Sequence, residues 1–143
     1  MPYEFLEDVA VADIAFKAWG EDLRETFISA ADAVMGAMVE DPDTIQAHEQ
    51  RSIQLTNDAL DMLLFDFLQE LVYYKDVELL LLRVHEVQVT HGPGHNALRA
   101  AAAGEKLDPA RHQQRADVKA VTLHRFSLQQ TARGWEAMVV LDI

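Results

Sequence analysis

The segment Ala12-Asp13-Ile14-Ala15-Phe16-Lys17-Ala18-Trp19-Gly20, followed by Glu21-Asp22-Leu23, decides how the chain is read. Ile14, Phe16 and Ala18 alternate with Asp13, Ala15 and Lys17, a period of two that predicts a strand over Ala12 to Trp19. Gly20 ends it, and Glu21-Asp22 place negative charge where a helix N-terminus favours it. From Leu23 the period changes. Leu23, Phe27, Ala30, Ala31, Val34 and Met38 recur every three or four residues, one apolar face of a helix. Asp41-Pro42-Asp43 stops that helix, because a proline disfavours helical backbone in the residue before it.

Further along, a short strand is expected over Ser52 to Thr56, with Ile53 and Leu55 on one side. A second helix is expected from Asn57 or Asp58 to Tyr74, with Leu60, Leu63, Leu64, Phe67, Leu68 and Leu71 as its apolar stripe. Its acidic residues read as a solvated face. Val77 to Thr90, rich in leucine and β-branched residues, reads as buried strand bent near Arg83 to Glu86. His91-Gly92-Pro93-Gly94-His95 is a loop or turn, and Asp108-Pro109 opens another. Leu98 to Glu105 is open: its alanines favour helix, while Leu98, Ala100 and Ala102 alternate. Val118 to Phe126 and Gly134 to Leu141 read as the last strands, joined by a turn near Thr131 to Gly134. The fold class is therefore α+β, two long helices packed against mixed or antiparallel sheet, in a single domain over residues 1–143.

The composition narrows the function. The chain has 143 residues, half of them apolar, so it can bury a real core. It has no cysteine, which removes disulfides, thiolate metal sites and cysteine nucleophiles. Met1-Pro2-Tyr3-Glu4 lacks the start of a signal peptide, and the apolar run Val77 to Val84 is interrupted and too short to span a bilayer. A cytoplasmic location is expected. The formal charge of −12 repels phosphate backbones, so direct nucleic-acid binding is not the expected role, and metal cations and basic proteins are favoured. The plainer reading is that acidity serves solubility.

Asp13 is the first residue to examine for chemistry. A carboxylate inside an apolar strand must be paired, hydrogen-bonded, exposed or metal-bound. A solvent-facing strand aspartate is the plain alternative. The sequence closes on Leu141-Asp142-Ile143 directly after a strand, where the Asp142 side chain and the Ile143 carboxylate offer hard oxygen donors. Joined by Asp13, they would suit calcium or magnesium rather than zinc. The histidines are dispersed. His91 and His95 are separated by Gly-Pro-Gly, which suits loop polarity better than ligation, while His112 and His124 fit structural hydrogen bonding. No phosphate-binding glycine loop is present. Lys119 stands as a lone cation in Asp117-Val118-Lys119-Ala120-Val121, where an exposed strand lysine is the plain reading.

A family resemblance joins these residues. Tyr3-x-Phe5-Leu6 with Val11-Ala12-Asp13-Ile14-Ala15-Phe16-Lys17-Ala18-Trp19-Gly20, Leu23-x-x-Thr26-Phe27 and Leu63 to Leu71 resemble the archease family. So do Gly104-Glu105-x-Leu107-Asp108-Pro109-x-Arg111-His112, Val118-Lys119-Ala120-Val121-Thr122-x-His124, Gly134-Trp135 and Leu141-Asp142-Ile143. The resemblance runs through nearly the whole chain in order. It implies an α+β fold in which Leu98 to Glu105 is strand. It also implies a non-enzymatic protein cofactor of the GTP-dependent RtcB-type RNA ligase in tRNA splicing and RNA repair. Such a cofactor promotes guanylylation of the ligase and its multiple turnover. The family's metal site maps onto Asp13, Asp142 and the Ile143 carboxylate, for a divalent cation (calcium first, magnesium or manganese as alternatives). The motif lysine falls on Lys119. Many members carry His-Thr where this chain has Ala10-Val11, and an aromatic residue where it has Leu123.

Two other classes stand beside this reading. One is a small metal-dependent hydrolase using Asp13, Asp142 and either His112 or His124, since a divalent ion can generate a nucleophilic water. The other is a chaperone-like binding protein indifferent to metal.

Overall fold

The structure is a computed structural model and describes residues 2–6 and 13–143. Its strands are β1 (Tyr3–Leu6), β2 (Asp13–Gly20), β3 (Glu49–Asn57), β4 (Leu80–Gly92), β5 (His95–Lys106), β6 (Ala120–Thr131) and β7 (Gly134–Asp142). The helices are α1 (Leu23–Met38) and α2 (Leu60–Glu78), with a single 3₁₀ turn at Pro42–Thr44. A four-stranded sheet runs β1-β2-β7-β6 and a three-stranded sheet runs β3-β5-β4, every pairing antiparallel. Both helices pack against strands of both sheets, which is the α+β architecture expected. No helix among the described residues is long and apolar enough to cross a membrane.

Alternation builds the first sheet as read. Phe16 and Ala18 of β2 and Ala137, Val139 and Leu141 of β7 turn one face to a buried cluster that takes residues from both helices and both sheets. Phe27 of α1 and Phe67 of α2 stack at its centre, ring centroids 5.9 Å apart. The acidic helix start works through capping. The Asp22 side chain accepts the Glu25 amide at 2.8 Å, and the Glu25 carboxylate reaches back to the Glu21 amide at 2.8 Å.

Several boundaries differ from the sequence reading. β3 is longer at both ends than Ser52 to Thr56, and α2 begins at Leu60 because Asn57 completes the strand. At its other end α2 continues to Glu78, so Val77 is helical rather than the start of a strand. Leu79 then breaks the helix in the left-handed region at φ 53°. The expected bend in β4 is present as a register shift between Val84 and Glu86. Leu98 to Glu105 lies within β5, settling that ambiguity as strand. Of the expected His91 to His95 turn only Pro93 and Gly94 lie between the strands, at the tip of the β4–β5 hairpin, with Gly94 at φ 65°. β6 starts at Ala120 and continues to Thr131, with an irregularity between Thr122 and Ser127. β1 has too few residues to show a period. Tyr3 and Phe5 seat it by edge-on ring contacts that lead to Phe16.

Candidate functional site: the carboxylate end of the first sheet

β2 and β7 run antiparallel along their whole lengths, and this brings Asp13 directly opposite Asp142. Directly paired residues point to the same side of a sheet with Cβ atoms about 4.5–5.5 Å apart, so the two carboxylates stand side by side. The adjacent pair, Ile14 and Leu141, points into the core. The carboxylates therefore occupy the opposite face. Asp13 is half-buried and Asp142 exposed, and neither side chain has a hydrogen bond or ion pair among the described residues. Like charges directly opposite are destabilising, which makes the pair a natural seat for a cation.

Ile143 follows Asp142 and is half-buried against the core cluster. On the other side of β7, Ala120 pairs with Asp142, and the Lys119 amide donates to the Asp142 carbonyl at 2.8 Å. The main chain of Lys119 is thus tied to the carboxylate strand, while its side chain is exposed. Asp13, Asp142, Ile143 and Lys119 share one end of one sheet, although the first and the last three are far apart in sequence. The oxygen-only donors fit a hard divalent cation. No group of three His, Asp or Glu side chains suited to a metal occurs among the described residues. Ala10 and Val11, where many family members carry His-Thr, lie outside the described residues.

The approach to β6 is held by two residues that sequence reasoning passed over. Lys75 is only 7% exposed. Its ammonium donates to Asp117 Oδ1 at 2.8 Å and to the Val118 carbonyl at 2.7 Å, and lies 2.6 Å from Asp76 Oδ1. Burial works against this charge, but the bonds to Asp117 and Asp76 outweigh it and hold the lysine pKa above its ordinary value. The same bond from Lys75 holds the Asp117 carboxyl below its ordinary range. Gln69 adds a second tie, accepting the Val121 amide at 2.7 Å. The available signal was a lysine on the buried stripe of α2, one helical turn beyond Leu71.

His112 is fully buried. The Asp108 amide donates to its Nδ1 at 2.8 Å, which puts the ring proton on Nε2, facing Glu105 Oε2 at 3.1 Å. Both nitrogens are thereby committed to structure. Burial opposes ionisation of Glu105, yet the Gln46 amide, the Arg111 guanidinium and the His112 ring together lower its pKa from 4.5 to about 2. This clamp ties the Asp108–His112 turn to the end of β5. Because the folded value lies below the unfolded one, the clamp contributes fully above about pH 4.5 and fades as pH falls through about 2. Glu105→Gln is expected to cost roughly 1–2 kcal/mol at neutral pH and to lose that deficit towards pH 2, measured by urea unfolding across the acid range. A deficit independent of pH would remove the ionised carboxylate from the account.

The other histidines also take structural or exposed positions. His91 Nδ1 lies 2.6 Å from Asn96 Oδ1, and the ring meets Trp135 edge-on at 6.3 Å. His95 and His124 are exposed.

Residues 3–143 match the Archease protein family (MTH1598/TM1083). The chain is similar to a protein archease of Methanosarcina mazei, 37% identical over 142 residues, covering 99% of this chain and 95% of that one. It is also similar to a protein archease of Pyrococcus abyssi, 35% identical, covering 92% and 93%. Among solved structures it resembles the solution structure of Methanobacterium thermoautotrophicum protein 1598, with a TM-score of 0.84, 31% identity and 99% of each chain covered. An archease of Thermotoga maritima, described as a possible chaperone, shares the fold at a TM-score of 0.57 and 15% identity, covering 94% of this chain and 93% of that one.

Proposed function

The chain belongs to the archease family, and from that premise we propose that it is a non-enzymatic protein cofactor of a GTP-dependent RtcB-type RNA ligase. In this reading it promotes guanylylation and repeated turnover of the ligase in tRNA splicing and RNA repair. The observation that supports it most is the direct pairing of Asp13 with Asp142 beside Lys119, at one end of the first sheet. Asp13, Asp142 and the Ile143 carboxylate would hold the divalent cation, calcium first among hard ions. A bound cation would supply local positive charge and fix the orientation of these carboxylates.

Lys119, just before β6, is the group that would reach the ligase or its nucleotide, as a flexible point charge whose main chain is tied to the Asp142 carbonyl. The net charge of −12 suits a basic, nucleic-acid-binding partner, because it draws the protein to the enzyme without competing for RNA. The hydrolase alternative is weakened by His112, whose two ring nitrogens are already committed.

The deciding assay is guanylylation of a cognate ligase with GTP and a divalent cation, run without addition, with this protein, and with its Asp13→Ala form. The wild type is expected to stimulate, and Asp13→Ala to lose at least about tenfold of that stimulation. Equal stimulation by both would keep the partner and discard the carboxylate site. An active ligase unmoved by either would discard the cofactor role, and binding to many unfolded proteins would then favour a chaperone-like one.

A further inference from the structure

At the end of the first sheet away from Asp13 lies an open groove of about 1170 Å³. Six strand positions of about 3.3 Å each separate Asp13 from Trp19, so the groove stands roughly 20 Å from the carboxylate pair. Both tryptophans of the chain, Trp19 and Trp135, line it. Trp19 is 37% exposed, one of few large apolar side chains so placed. Opposite it in the strand register is Glu136, on the same face of the sheet. Among the described residues Glu136 takes part in no ion pair, nor does Glu21 at the groove's rim. An exposed indole next to an unpaired carboxylate is the arrangement that holds a planar organic cation, which stacks on the ring while its N–H groups meet the oxygens.

The rest of the lining agrees with a cationic guest. Four carboxylates line the groove beside two guanidiniums, Arg24 and Arg133. Asp32 is paired with Arg83 and Glu25 accepts the Glu21 amide, which leaves the carboxylates of Glu21 and Glu136 for a guest. Of the guanidiniums, Arg24 lies 3.7 Å from Glu86 and is already partnered. On a chain of charge −12, a phosphate-bearing guest would be repelled. Ile28 and Val84 supply apolar wall for an aliphatic stem. The volume exceeds the roughly 300–1,000 Å³ of an ordinary small-ligand pocket, so one side chain alone would leave most of it empty.

We propose that this groove binds an arginine-bearing segment of a protein partner, with the guanidinium on Trp19 and beside Glu136. The site is separate from the carboxylate end and does not rest on the ligase reading.

The test titrates an amidated glycine peptide containing arginine, its lysine counterpart, spermidine and GMP into the full chain. Tryptophan emission reports the site directly, because both tryptophans line the groove, and calorimetry supplies affinities. The arginine peptide is expected to shift the emission and to bind more tightly than the lysine peptide or spermidine. GMP should not bind. Glu136→Gln and Trp19→Leu should each weaken the peptide about tenfold. Asp61→Asn removes the same charge from an exposed position on α2 and should leave affinity unchanged. Glu136→Gln changes neither size nor shape, so the test survives if Trp19→Leu fails to fold. No emission change at about one millimolar peptide would overturn the proposal. So would unaltered affinity in both groove variants, or spermidine binding as tightly as the arginine peptide.

Discussion

Gly104→Ala is expected to lower stability by at least about 3 kcal/mol, the upper part of the range for forcing extra volume into a packed interior. In a domain of this size that is a fall of roughly 10 °C in the unfolding midpoint. Gly104 sits in β5, between Glu49 of β3 and Leu82 of β4. A Cβ added there would lie 1.7 Å from the Leu81 carbonyl oxygen and 2.7 Å from its carbon. The obstacle is main chain rather than the end of a flexible side chain, so no rotamer change relieves it. Nor is β4 free to retreat, because Leu80, Leu81 and Leu82 are all buried within the shared core. The strands must separate at the point where Glu105 begins its clamp on His112, and both losses fall together. Thermal unfolding followed by far-ultraviolet circular dichroism measures the effect. A variant within about 1 kcal/mol of the parent would mean that β4 yields far more easily than its burial implies.

The same glycine shows where sequence reading stops. Gly104 adopts no special backbone angle, and its need for a missing Cβ arises wholly from β4, a partner strand that local pattern does not position. By contrast, β2 and α1 were legible because their periods of two and about three and a half lie within short windows. The bend in β4 was legible for a related reason, since His85-Glu86 interrupts an apolar run. The end of α2 was not. Val77-Glu78-Leu79-Leu80 reads as the start of a strand, but the helix continues to Glu78 and Leu79 turns the chain without the usual glycine. The candidate site divides in the same way. Asp13 stood out as a charge in an apolar strand, and Asp142 as an acid at the end of one. Their pairing depends on a register between the two ends of the chain, which only the folded sheet fixes. Lys75, which braces the segment that leads through Lys119 into β6, was hidden because a lysine at the end of an amphipathic helix ordinarily faces water.

That register gives the second large effect a sign that separates a cation site from a merely acidic surface. At a hundredfold excess over its dissociation constant, a bound cation adds about 2.7 kcal/mol to the folded state. Calcium is therefore expected to raise the wild-type unfolding midpoint by roughly 5–10 °C. Asp13→Asn and Asp142→Asn should abolish that rise. In a chelator-treated sample the order should invert, with both variants at or slightly above the wild type, because each removes one of two like charges held directly opposite. A pair of aspartates serving solubility alone would show the chelated behaviour without the calcium response. A pair engaged in ordinary structural hydrogen bonding would show destabilised variants under both conditions. Extending the chain beyond Ile143 with a short Gly-Ser tail moves the terminal carboxylate away while leaving both aspartates in register. Calcium affinity should then fall by about tenfold or more, since a hard cation on three anionic groups loses one of them. Full affinity in the extended chain would exclude the Ile143 carboxylate and place the third donor elsewhere. An unchanged midpoint in the wild type at millimolar calcium, magnesium and manganese would exclude the cation site as a whole.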